Sequence, residues 1–134
     1  MGVTGCGKST IATALALELE VDFVEADAFH SPANVRKMAS GIPLTDEDRA
    51  PWLAALAGRL RDAREAGIGL VMTCSALKRA YRDVLRTGDP QMQLIFLDGP
   101  RALIAERLAS RAGHYMPASL LESQFAVLEK PGHD

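Results

Sequence analysis

Residues 2–9 read GVTGCGKS, and few stretches of that length leave a chain so little freedom in how it folds. Gly2, Gly7, Lys8 and Ser9 fill every fixed position of the pattern G-x-x-x-x-G-K-S/T, with Val3, Thr4, Gly5 and Cys6 between them and Thr10 following. Glycines let the backbone turn with its N–H groups aimed inward, which makes a nest for an anion. A helix starting at that nest adds its positive end to the same point. Lys8 then supplies a mobile charge for the β- and γ-phosphates of a nucleotide, and the Ser9 hydroxyl is placed to ligate Mg²⁺. Residues 2–10 are therefore expected to bind ATP with Mg²⁺. Cys6 occupies a variable position and reads as a small loop residue. The loop by itself does not separate a kinase from other nucleotide-binding proteins.

A loop of this kind hangs between a buried strand and a helix, so the chain after it should alternate the two. It does. Residues 9–20 are rich in Ala and Leu, with Ile11, Leu15 and Leu19 at helical spacing. Residues 21–27, VDFVEAD, suit a buried strand. Ser31 is an N-cap with Pro32 at the first helical position, and Gly41 and Pro43 end that helix. Thr45 caps a longer helix with acidic residues in its first turn, an apolar stripe of Trp52, Leu53, Leu56 and Leu60, and Gly67 as its stop. Segments 68–74 and 93–98 read as second and third buried strands, separated by a helix that ends at Gly88. Further helices are expected over about 100–111 and 118–129. The pattern predicts one α/β domain over residues 1–134, a parallel sheet in three layers with helices on both faces.

Charge narrows the function. A net charge of −2 and a pI near 5.9 carry no nucleic-acid footprint. No apolar run approaches the roughly 18 residues a membrane helix needs. Cys6 and Cys74 lie far apart without metal-ligand spacing, which reads as reduced thiols in a cytoplasmic protein. No apolar strand ends in the Asp-Glu pair of a motor ATPase, and no N-K-x-D sequence reads guanine. Both observations favour a small-molecule kinase.

In parallel α/β sheets ligands gather beyond the carboxyl ends of the strands. Those ends carry Asp27 and His30, then Ser75 and Lys78, then Asp98. Asp27 is the candidate for accepting a substrate hydroxyl proton or ordering Mg²⁺, although an aspartate there also suits a turn or cap. Arg49, Lys78, Arg82, Arg107 and Arg111 recur near the predicted loops. Arg111 opens RAGHYM, which reads as a lid (about 111–118) whose cation stabilises charge on a transferring phosphoryl group, with His114 and Tyr115 beside it.

With these segments in place, the sequence resembles the bacterial-type gluconokinases, small P-loop kinases. MASGIPLTDEDRAPWL (38–53) matches the family's M-x-x-G-x-P-L-x-D-x-D-R-x-P-W-L block, and CSALKRAYRDVLR (74–86) its C-S-A-L-K-x-x-Y-R-D-x-L-R block. RAGHYMPASLLESQFAVLEKP (111–131) is similar to its lid and following helix. The resemblance implies transfer of phosphate from ATP, with Mg²⁺, to the 6-hydroxyl of D-gluconate. It implies that Lys8 and Ser9 serve phosphates and metal, Asp27 is the substrate-side carboxylate, and Arg49 meets the gluconate carboxylate. His30, Lys78 and Arg82 are then expected to help hold substrate or phosphate, and Arg111 to cover ATP. A homodimer is also a family expectation. Family members carry a strand before the loop and a strand and helix after EKPGHD, so the resemblance makes this chain an expected incomplete kinase. Two other readings stay open at this point: a kinase for another small hydroxy acid such as shikimate, and a nucleotide-binding module without transfer activity.

Overall fold

The computed structural model describes residues 1–110 and 119–132. The loop residues 2–7 lead into helix α1 (Lys8–Leu19), which is followed by strand β1 (Asp22–Glu25) and a 3-10 turn (Ala26–Phe29). Helices α2 (Pro32–Ala39) and α3 (Asp46–Ala66) come next, then strand β2 (Leu70–Thr73) and helices α4 (Arg79–Gly88), α5 (Arg101–Ala109) and α6 (Ser119–Val127). β1 and β2 pair in parallel, with Asp22 opposite Leu70 and Glu25 opposite Thr73. The result is an α/β fold in which α1 packs on both strands and α3 lies along α4.

The helix ends follow from local chemistry. Ser31 Oγ accepts the Asn34 N–H at 3.1 Å, so α2 starts where its cap and Pro32 place it. At α3 the Thr45 hydroxyl accepts the Asp48 N–H at 3.1 Å while the Asp48 carboxylate accepts the Thr45 N–H at 2.9 Å, a reciprocal cap. Gly67 ends α3 with φ 68°, in the left-handed region. α4 ends at Gly88, as expected, and that glycine also has a packing role. It is buried inside the last turn of α4, and a Cβ there would overlap the Ala57 carbonyl of α3. The glycine permits the close approach of two helices.

Three apolar clusters form the core. The largest joins Trp52, Leu53 and Leu56 of α3 to Tyr81 and Leu85 of α4 and to Ala26, Cys74 and Ala76 at the strand ends. A second joins Val3 of the loop to Leu77, Ile104, Leu108 and Leu121, and a third joins Met38, Leu44 and Leu120. Leu60, the fourth member of the expected α3 stripe, is only half-buried. On α1 it is Ala12 and Ala16 that are buried, while Ile11 and Leu19 stay exposed. β1 is likewise less covered than a buried strand, since Phe23 is exposed.

The third expected strand is the main difference. Residues 93–98 are not part of the hydrogen-bonded sheet, which among the described residues has the order β1-β2. They run beside it and are tied to it by a stitch at Met1 and Gly2. The Met1 nitrogen donates to Ile95 O at 2.5 Å and Leu97 N donates to Met1 O at 2.9 Å, the bond pair of parallel strands with Met1 opposite Phe96. Gly2 N donates to Ser75 O at 3.2 Å, just past β2. Beyond this stitch a groove of about 560 Å³ separates β2 from residues 93–97, lined by Ile11, Leu15 and Leu19 of α1 among others. Strand pairing needs a neighbour along its whole length, and 93–98 has one at a single residue.

Candidate active site

The glycine-rich loop has the shape its sequence demands. Gly7, the residue before α1, sits at φ 98°, a conformation L side chains rarely adopt, and it turns the chain so that α1 begins at Lys8. Lys8 Nζ curls back over the loop and donates to the carbonyls of Gly2 and Val3, each at 3.0 Å. Val3 and Thr4 are buried, which holds the loop against the second core cluster. Thr4 N donates to Gln124 Oε1 of α6 at 2.7 Å.

Three cavities lie in series across this loop. The first, of about 490 Å³, is lined by residues 4–11 with Glu25, Asp27 and Arg107. The second is a narrow neck of about 30 Å³ that includes Lys8, Asp27, His30, Arg49, Trp52 and Ser75. The third, of about 240 Å³, includes Asp46, Arg49, Lys78 and Gln124. Lys8 and Asp27 line both the first and the second, and Arg49 and Gln124 line both the second and the third.

The neck has an aromatic wall. His30 stacks on Trp52 with ring centroids 4.1 Å apart, and Trp52 Nε1 donates to Ala26 O at 2.7 Å. Burial lowers the His30 pKa from its ordinary value, partly opposed by the nearby Asp27 carboxylate. The ring is therefore neutral near pH 7, with Nδ1 3.4 Å from the Asn34 amide nitrogen.

At the third cavity the charges are linked. Arg49 Nη1 donates to Leu44 O at 2.6 Å and approaches the Tyr81 hydroxyl at 3.3 Å. Lys78 Nζ pairs with Asp46 Oδ1 at 3.2 Å, and the Tyr81 hydroxyl donates to the same oxygen at 2.5 Å. The Arg49 guanidinium and the Lys78 ammonium lie 5.3 and 5.6 Å from the centre of the Tyr81 ring.

Of the residues expected from sequence, Thr4, Gly5, Cys6, Gly7, Lys8, Ser9, Thr10 and Asp27 meet at the first cavity, and His30 and Arg49 adjoin through the neck. Gly2 and Val3 support the loop from behind. Lys78 reaches the third cavity. The structure does not bring Arg82 to these cavities. It is 1% exposed, and its Nη1 donates to Ala76 O at 2.8 Å and Leu77 O at 3.3 Å, fixing the turn that carries Lys78. Asp98 pairs with Lys130 at 3.1 Å and lines none of the three cavities. Arg111, His114, Tyr115 and the expected lid over 111–118 lie outside the described residues.

Beside Asp46 at the third cavity and Tyr81 bonded to it, sequence reasoning missed two residues that touch the loop and α1. Glu25 ends β1, where its Oε2 accepts from the Ser9 hydroxyl at 2.7 Å and its Oε1 from the Thr73 hydroxyl at 2.6 Å. It read as part of a strand, although its place two residues before Asp27 was available as a signal. Gln124 touches the loop from α6, and only its position inside the third resembling block pointed to it.

Known proteins give the same picture. The family model described as an AAA domain matches residues 1–131. Gluconokinase of Gluconobacter oxydans (strain 621H) is 55% identical over 134 residues, covering 100% of this chain and 75% of that protein. The thermosensitive gluconokinase of Escherichia coli (strain K12) is 45% identical over 139 residues, covering 100% and 72%. Among solved structures, a sugar kinase from Janibacter sp. HTCC2649 superposes with a TM-score of 0.95 at 55% identity, covering 100% of this chain and 78% of that one. A gluconokinase from Sinorhizobium meliloti 1021 superposes at 0.88 with 48% identity, covering 100% and 75%. A glycine-rich loop whose cavity adjoins a narrow neck, in a fold shared along the whole chain with these enzymes, places the chain in the gluconokinase family of P-loop kinases.

Proposed function

We infer that the chain transfers the terminal phosphate of ATP to the 6-hydroxyl of D-gluconate, giving 6-phospho-D-gluconate and ADP. The observation that carries this reading is the sharing of Lys8 and Asp27 between the loop cavity and the acceptor neck. A phosphoryl donor on one side and an alcohol on the other meet there. The distal end of the acceptor then falls between Arg49 and Lys78, where two cations suit its carboxylate.

In this reading the loop N–H groups and Lys8 hold the β- and γ-phosphates, and Arg107 adds a cation from α5. Asp27 orients the acceptor hydroxyl and takes its proton as oxygen bonds to the γ-phosphorus and ADP leaves. Arg49 and Lys78 fix the other end of the acid, and the His30–Trp52 stack shapes the path between. Much of the rate in phosphoryl transfer comes from such positioning. Among the described residues no group of three His, Cys, Asp or Glu side chains forms a metal cluster. Mg²⁺ at a nucleotide keeps waters and phosphate oxygens and needs only one or two protein oxygens. The Ser9 hydroxyl would hold it, with Glu25 and Asp27 beside it, and the ion would neutralise charge on the phosphates. The reading also includes a cytoplasmic location and a homodimer on family grounds, the latter measurable by sedimentation. Among the described residues no helix is long and apolar enough to cross a membrane.

The test is an ADP-release assay with Mg·ATP, comparing D-gluconate, shikimate and no acceptor. Gluconate-dependent turnover is expected, and Asp27→Ala should lower kcat by about 10²–10⁴-fold while ATP still binds. ATP binding without turnover, unchanged by Asp27→Ala, would replace the kinase with a nucleotide-binding module.

A further inference from the structure

The cations assigned to the acceptor's carboxylate are not idle in this structure: a carboxylate of the protein engages Lys78 directly and is linked to Arg49 through the Tyr81 hydroxyl. Asp46 Oδ1 pairs with Lys78 Nζ at 3.2 Å and accepts from the Tyr81 hydroxyl at 2.5 Å. That hydroxyl lies 3.3 Å from Arg49 Nη1. Lys78 and Tyr81, from the α4 entry and α4, converge on one oxygen of Asp46, and Arg49 of α3 joins them through the Tyr81 hydroxyl. Asp46, Arg49 and Lys78 all line the same cavity of about 240 Å³.

We propose that Asp46 is an internal stand-in for the acceptor's carboxylate: it occupies the Lys78–Tyr81–Arg49 seat until the substrate's own carboxylate displaces it. The proposal rests on the reading of Arg49 and Lys78 as that seat. Three features support it. Tyr81 is buried on α4 with its hydroxyl directed to Asp46, so the seat has a neutral donor between two cations, a cradle built for an oxyanion. The Asp46 side chain is 64% exposed, so it can leave toward water without crossing the core. It is also the first residue of α3, and after leaving Lys78 it keeps the favourable field of the helix N-terminus. The hydrogen bond from Tyr81 and then that from Lys78 hold the Asp46 carboxyl below the usual carboxylate range, so the group is ionised near neutral pH. The exchange replaces one carboxylate by another and leaves the charge of the seat unchanged. Neutral sugars lack the group that makes the exchange, so Asp46 competes with acids alone and moderates their affinity.

The chain's single tryptophan, Trp52, lines the neck, and its fluorescence reports acceptor binding. Titration with D-gluconate and with D-glucitol, which has the same carbon chain without the carboxylate, separates the possibilities. Asp46→Asn should tighten gluconate binding by about five-fold, the scale of one exposed ion pair, and leave D-glucitol unaffected, while Asp46→Glu retains wild-type behaviour. Unchanged or weaker gluconate binding in Asp46→Asn, or an equal shift for both ligands, overturns the proposal. Lys78→Met distinguishes the two levels of failure. If it weakens gluconate while Asp46→Asn does not tighten it, the stand-in alone is wrong. If it leaves gluconate untouched, the carboxylate seat itself is misplaced.

Discussion

Glu25 shows how a single side chain links the loop to the sheet. Its two oxygens accept one hydroxyl from α1 and one from β2, so the position of Ser9 depends on the register of the strands. Glu25→Ala is expected to lower kcat/KM by about 10–100-fold, with KM for Mg·ATP rising more than KM for gluconate, as initial rates with each substrate varied would show. The thiols differ in the same local way. Burial pushes the Cys74 thiol up to about 12, whereas Cys6 is partly exposed in the loop. A timed alkylation followed by mass spectrometry should label Cys6 first, and ATP should slow that labelling. At this scale the sequence shows Lys8 and Ser9 plainly, because a fixed spacing carries their chemistry. It shows Arg82 only as a cation; whether a cation faces substrate or clamps a buried turn depends on packing that no local pattern contains.

Helix boundaries are legible for the opposite reason. Caps act over three or four residues, and Ser31, Thr45 and Gly67 all end their helices where local chemistry puts them. Thr45→Ala should cost about 1 kcal/mol in a denaturant titration. Asp48, the other half of that cap, is held down to about 2 from an ordinary 3.8, first by Lys37 at 2.7 Å and then by the Thr45 backbone. Its folded pKa is depressed, so its contribution to stability is fully present above about pH 4 and is lost as pH falls toward 2. Asp48→Asn should flatten that acid limb of the stability curve. Gly88 ends α4 where local reading places the end, but its second role is not local, since the need for a glycine is also set by a partner helix far away in sequence. Gly88→Ala should destabilise by about 1–3 kcal/mol through overpacking against Ala57, read as a lowered denaturant midpoint.

For the whole molecule, the alternation of strand and helix signals is enough to predict a parallel α/β fold, and the loop is enough to place its ligand end. The shape of the sheet is not legible in that way, because residues 93–98 have the composition of a strand whether or not a neighbour pairs with them. The stitch at Met1 has a physical price in solution behaviour. The groove between β2 and residues 93–97 is lined largely by apolar side chains, and Ile95 is 52% exposed. Such a border is adhesive: an extended apolar segment of a neighbouring molecule can zip into it and template further growth. Light scattering should therefore rise with protein concentration, and Ile95→Lys should suppress it without changing helix content, which would set the stickiness of these residues apart from the chemistry of the loop.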